Sequence, residues 1–184
     1  MSQPARLIRL EDVGGKSLPL IKDTAMTTAH APRFDYFRLS ADLSRKYMDF
    51  SMASKLDKTL SLLIDIRASQ LNGCAFCLDM HVKQAKLHGE RELRLHHVAI
   101  WHESPLFTAK ERAALAWTEV LTRIPPDGVS DAAYAAVREQ FAEDELSELT
   151  WRIAAINGWN RMNVAVRNVP GAMDKMFGLD KADL

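Results

Sequence analysis

Two cysteines stand three residues apart in the run Cys74-Ala75-Phe76-Cys77, and His81 follows four residues after the second. They are the only two cysteines of the chain. Asn72-Gly73, immediately upstream, is a helix stop, so a new helix can open with both thiols in its first turn. At a helix N-terminus the unpaired N–H groups and the macrodipole favour an anion, which draws a thiol pKa below the free value of about 8.5. Residues three apart on a helix have Cβ atoms about 5–6 Å apart, against roughly 3.5–4.5 Å in a disulfide, so a small adjustment of the first turn closes the bond. At about 100° per residue, Cys74, Cys77 and His81 share a stripe roughly 60° wide, which lets the imidazole take or relay a thiol proton. This is the chemistry of a reversible thiol–disulfide centre.

Other uses of a C-x-x-C pair fit less well. A closed zinc site needs four ligands, usually as two pairs, and there is no second cysteine pair. His88, His96, His97 and His102 lie at the density of solvated surface residues. Covalent haem requires histidine directly after the second cysteine, where Leu78 stands. A thioredoxin-like domain requires a βαβ pattern that the chain lacks. We therefore expect no metal and no cofactor.

The elements that must position the pair are all helical. Ser40 caps a segment reaching about Ser54. Asp57 caps the next, which carries Leu60, Leu62, Leu63 and Ile66 and stops at Asn72-Gly73. The cysteine helix runs to His88-Gly89, and a short helix is expected from Glu90 to His102. Thr108 and Glu111 form a capping box for a helix ending before Pro125-Pro126. Ser130 caps one containing Tyr134, Val137 and Phe141, and the last long helix spaces Leu146, Leu149, Ile153 and Ile156 through to about Val166. No alternating strand pattern appears, and the fold class is all-α. Residues 1–32, with Pro4, Gly14-Gly15, Pro19 and Pro32, read as an irregular N-terminal arm before one helical domain over 33–184.

The 184 residues are enough for one domain with a sizeable core and no staples, and 47% apolar with 26% charged residues is an ordinary globular balance. Lys plus Arg and Asp plus Glu are equal at 24 each, which argues against nucleic acid or anionic lipid as a partner. No apolar run reaches the roughly 20 residues of a membrane span and no signal core opens the chain, so a cytoplasmic location is expected.

The run from Arg67 through Asn72-Gly73-Cys74-Ala75-Phe76-Cys77 to His81 resembles the alkylhydroperoxidase D-like branch of the carboxymuconolactone decarboxylase family. The likeness continues through Glu111 to Glu119, including Trp117, and through Ala155 to Asn163, including Trp159, Asn160 and Arg161. It implies an all-α fold, assembly into homotrimers or homohexamers, and a peroxidase that reduces hydroperoxides through its cysteine pair. It also implies that Cys77, beside His81, is the peroxidatic thiol, that Cys74 resolves the sulfenic acid into a disulfide, and that an external dithiol restores both. The family's relay glutamate would fall twelve residues before the first cysteine, at Leu62. Asp65, one turn on, could serve as a proton relay, but it lies on the polar stripe Lys58-Ser61-Asp65-Ser69-Asn72 and reads as a surface residue.

Arg67, Trp117, Glu119, Trp159, Asn160 and Arg161 are expected to pack rather than react. The methionines Met48, Met52, Met162, Met173 and Met176 are expected to fill core or interface, and Asp79–Lys83 to form a surface pair. Two other functions compete with a peroxidase. One is a redox-responsive binding or scaffold protein with little turnover. The other is a non-redox lactone or carboxylate enzyme of the same family, and the cysteine pair argues against it.

Overall fold

The computed structural model describes residues 31–182; the expected arm lies almost wholly outside the described residues. In chain order the helices are α1 (Tyr36–Leu39), α2 (Ala41–Met52), α3 (Lys58–Leu71), α4 (Ala75–Leu87), α5 (Glu92–His97), α6 (Ala109–Arg123), α7 (Asp131–Arg138), α8 (Glu143–Val166) and α9 (Asp174–Phe177). A 3-10 segment, Val98–Glu103, follows α5, and there is no strand among the described residues. The fold is all-α, as expected. No helix among the described residues is long and apolar enough to cross a membrane.

Local chemistry explains most boundaries. Asp57 accepts the backbone N–H of Leu60 at the start of α3, Ser130 accepts that of Ala133 at α7, and Thr108 and Glu111 cap each other reciprocally at α6. Ser40 occupies the N-cap of α2 without a side-chain capping bond. The helix expected over 90–102 is divided, with Ile100 leaving helical geometry (φ −121°, ψ 28°). The Arg112 guanidinium gathers the carbonyls of Trp101 (2.9 Å), His102 (3.0 Å) and Ser104 (3.0 Å), a tertiary bond set that outweighs the local helical preference. Phe141, expected inside the sixth predicted helix, lies beyond the end of α7 but is buried in the core.

Helix α3 is the axle of the molecule, packed by α4, α6, α8 and the 3-10 segment. Its Leu60, Ile64 and Ala68 join Trp117 of α6 and Leu149 and Ile153 of α8 in one apolar cluster. Its Leu62, Leu63 and Ile66 join Leu95, Val98 and Phe107 in a second. Burial of each such side chain stabilises the fold by about 1.5–3 kcal/mol before chain entropy is subtracted. The third face of α3 is polar and meets a polar face of α8. Arg152 pairs with Asp65, Asn160 Nδ2 donates to Ser69 Oγ (3.1 Å), and Asn72 Nδ2 donates to Asn157 Oδ1 and Asn160 Oδ1 (2.9 Å each). Helix α2 docks on α8 where Gly158 leaves a gap: a Cβ there would sit 1.9 Å from Tyr47 Oη, which donates to Ala155 O at 2.9 Å.

Candidate active site

The α3–α4 turn sets up the thiols. Gly73 takes φ +63°, a left-handed conformation open to glycine, and releases Cys74 into extended backbone (φ −87°, ψ 91°). Cys74 is therefore the N-cap of α4, one position before the first turn in which the sequence placed it, and its sulfur accepts the backbone N–H of Cys77 at 3.3 Å. Both cysteines are free and buried, with Phe76 in the same apolar cluster and Met173 packed against it.

The two sulfurs share a proton unequally. The Cys77 thiol donates to Cys74; that bond, the Cys77 backbone N–H and a bond from Asn160 lower the Cys74 pKa against the effect of burial. Cys77 is pushed well up, first by donating to Cys74 and then by burial and the neighbouring charge. On α8, Asn163 Nδ2 points at Cys77 Sγ at 3.4 Å.

One turn along α4, His81 is buried, with Nδ1 2.9 Å from Gln84 Oε1 and 3.5 Å from Asp65 Oδ2. Burial lowers its pKa more than the Asp65 carboxylate raises it, and the nearby Arg152 lowers it further. The ring is thus neutral near pH 7. With Gln84 Oε1 accepting, Nδ1 carries the proton and Nε2 holds a lone pair able to take one.

The surface reading of Asp65 is corrected here: the residue is 0% exposed. The polar stripe of α3 faces α8, not water, and Arg152 forms a two-pronged pair with the carboxylate through Nε (2.9 Å) and Nη2. Arg152 also donates to Ser51 O at 3.0 Å, anchoring the end of α2. A carboxylate held this tightly is fixed in place to orient the imidazole. Leu62 is buried in the apolar cluster of Leu95, Val98 and Phe107, as its apolar neighbours indicated.

A cavity of about 410 Å³ opens beside this group. Asp65, His81, Gln84, Arg152 and Asn163 give it polar lining, while Met48, Met80, Phe76, Phe37 and Trp159 give it apolar walls; Lys58 also contributes. The thiols lie behind Phe76 and Asn163. Met48, Met52 and Met173, expected as filler, line the cavity, and Met52 and Met176 are strongly exposed rather than core. Asp79–Lys83 is more than a surface pair, since Lys83 also reaches Asp174 (2.7 Å) and Asp79 accepts the Gly171 N–H (3.0 Å), tying the C-terminal segment to α4.

The residues expected to pack are held by tertiary contacts, and one of them, Asn160, also bonds both cysteine sulfurs. Arg67 pairs with Glu119, which also accepts Trp101 Nε1–H at 2.7 Å. Trp117 donates to Thr150, Arg161 to Asn157, and Asn160 is fully buried. Trp159 donates to Ser51 Oγ (2.8 Å) and additionally walls the cavity. Sequence reasoning missed Arg152, Gln84, Asn163 and Tyr36 as site residues. The available signal was that positions 152, 157, 160 and 163 of the last long helix are polar. Among the described residues no group of three or more His, Cys, Asp or Glu is arranged to hold a metal ion.

Residues 41–120 match the model of the carboxymuconolactone decarboxylase family. The chain is 37% identical to the uncharacterized protein YdfG of Bacillus subtilis over 139 residues, 74% of this chain and 95% of YdfG. A crystal structure of a protein of unknown function from Agrobacterium tumefaciens, linked by name to AhpD antioxidant defence, superposes with a TM-score of 0.73 at 36% identity, covering 77% of this chain and 99% of that one. The debrominase Bmp8 shares the fold at 20% identity and a TM-score of 0.66, over 80% of each chain. By its sequence matches and its fold, the chain belongs to the carboxymuconolactone decarboxylase family, in the AhpD-like group.

Proposed function

We propose that the protein is a cysteine-dependent peroxidase that reduces hydroperoxides with the Cys74–Cys77 dithiol. The observation that carries this reading is a pair of free thiols, one hydrogen-bonded to the other at a helix N-terminus, beside a neutral buried imidazole and an organic-sized cavity. The pair holds one proton in its reactive form. A Cys77 thiolate attacks the distal peroxide oxygen, the O–O bond breaks, and the leaving alkoxide takes a proton relayed by His81, giving Cys77 sulfenic acid and an alcohol. Cys74 then attacks the sulfenic sulfur; water leaves and the disulfide forms. An external dithiol returns two electrons and two protons. Asp65 acts as the positioning carboxylate, orienting His81 while paired to Arg152, and burial keeps the ring in its base form. A cavity far larger than hydrogen peroxide favours an organic hydroperoxide. The working form is a homotrimer or homohexamer in the cytoplasm.

Stopped-flow mixing of reduced protein with hydrogen peroxide and with an organic hydroperoxide, following thiol loss, tests the reading; disulfide formation faster with the organic peroxide is expected. Cys77→Ser abolishes consumption, and Cys74→Ser accumulates a trappable sulfenic acid without an intramolecular disulfide. Thiol loss no faster than that of a free thiol would sink the peroxidase and leave the redox-switch reading.

A further inference from the structure

The Asn163 carboxamide faces Cys77 in one orientation only. Its Oδ1 accepts two donors, Tyr36 Oη–H at 3.0 Å and Asn168 Nδ2–H at 2.6 Å. Its Nδ2 is thereby turned the other way, where it donates to Trp159 O at 2.9 Å and toward Cys77 Sγ at 3.4 Å. A flipped amide would set its NH₂ against the Asn168 NH₂ and its oxygen against the Trp159 carbonyl, and only the Tyr36 hydroxyl could turn to accept from it. Tyr36 and Asn163 are both buried, and both line the cavity. Burial, followed by the nearby thiols, raises the Tyr36 pKa, which keeps the phenol a donor.

The two sulfurs share a bond from Asn160 and differ in their other donors. Cys74 receives the Cys77 backbone N–H, a bond that persists whichever sulfur holds the proton. The Asn163 N–H is aimed at Cys77. At rest the balance favours charge on Cys74, so attack by Cys77 requires the shared proton to cross to Cys74 and the charge to appear where Asn163 points.

We propose that Asn163, locked by Tyr36 and Asn168, is the donor that lets Cys77 rather than Cys74 carry the negative charge when the pair reacts. Asn163 touches the reacting sulfur and is a catalytic residue; Tyr36 acts through it and is a positioning residue. The inference rests on the cysteine pair being the working centre, but its test needs no peroxide.

The experiment titrates each sulfur alone by thiolate ultraviolet absorbance, Cys77 in a Cys74→Ser background and Cys74 in a Cys77→Ser background. Asn163→Ala is expected to lower the Cys77 thiolate fraction at fixed pH about tenfold, the scale of losing one hydrogen bond to a charged group, and to leave Cys74 within about twofold. Tyr36→Phe, which keeps the ring packing, is expected to shift Cys77 in the same direction by less. An unchanged Cys77 titration in folded Asn163→Ala, or equal loss at both sulfurs, overturns the proposal. If Asn163→Ala does not fold, Tyr36→Phe decides: no shift at Cys77 overturns it. A wild-type protein inert to peroxides but showing this one-sided shift would remove the peroxidase and leave this inference standing.

Discussion

Helix α3 carries two charged side chains two residues apart, Asp65 and Arg67, and both are drawn into ion pairs, yet the pairs do different things. Arg67–Glu119 is 13% and 21% exposed, fastens α3 to α6, and fills its remaining capacity with Gln70 Oε1 and Trp101 Nε1–H. Asp65–Arg152 is drier, at 0% and 16%, and its carboxylate has a third neighbour, the neutral ring of His81, at the wall of a cavity. The first pair also meets an imidazole, His102 Nε2 at 3.5 Å from Glu119 Oε2, but that ring is 59% exposed and does not line the cavity. The second spends part of its field on a group able to change charge. An ion pair becomes site machinery when it borders a titratable group with room beside it.

Charge removal should separate the two most sharply. Asp65→Asn leaves Arg152 without a counter-charge, which is expected to cost about 3–5 kcal/mol of stability and to slow Cys77 oxidation about a hundredfold per folded molecule. Arg67→Met should cost about 1–2 kcal/mol, because water and Trp101 still serve Glu119, with an oxidation rate within about twofold of wild type. Denaturant melts and stopped-flow rates on both variants check this. A rate loss in Arg67→Met equal to that in Asp65→Asn would erase the distinction.

Leu62→Glu sharpens the same contrast from the opposite side. At the family's glutamate position a carboxylate would enter the apolar cluster of Leu95, Val98 and Phe107, whose flanking cation, Arg94 over the Phe107 ring, is already paired with Glu90 and Glu111. We expect a loss of about 2–3 kcal/mol and no gain in oxidation rate, since Asp65 already holds His81. A faster variant would return the relay to position 62.

The smallest expected effect is the pH dependence of stability. The His81 pKa is lowered in the folded protein, so the unfolded chain binds more protons below the ordinary value of 6.5. Stability from this site is complete above that pH and falls as pH drops toward the depressed value, at about 1.4 kcal/mol per pH unit. His81→Gln should flatten this slope as pH falls below about 6.5, where no buried imidazole sits beside Arg67–Glu119; the Glu119 pKa, also lowered, acts only below its ordinary 4.5. Urea midpoints across that range measure it. Identical slopes in wild type and variant would place a charged, not neutral, imidazole at the site.

The cysteine pair, His81, the helix order and most caps were legible because each depends on neighbours within about four residues. Asp65 was misread because helical period alone cannot say what covers a polar stripe. On α3 two stripes are apolar, and the third meets Arg152, Asn157 and Asn160 of α8 some ninety residues later. Ser61, Asp65 and Ser69 look like a wet face only when α8 is left out. The break at Ile100 escaped for the same reason, being made by Arg112 from another helix. The Asn163 amide was visible as a residue, but its orientation depends on Tyr36 and Asn168, which no spacing rule links.

Gly158 imposes an order on change in this chain. Any side chain there would begin 1.9 Å from Tyr47 Oη and 2.8 Å from its Cζ, so even Tyr47→Phe does not clear the space. A library built on this chain should return only glycine at 158 until position 47 has first become small. The reverse order meets the clash first, and the contact so protected seats α2, whose Met48 and Met52 line the cavity.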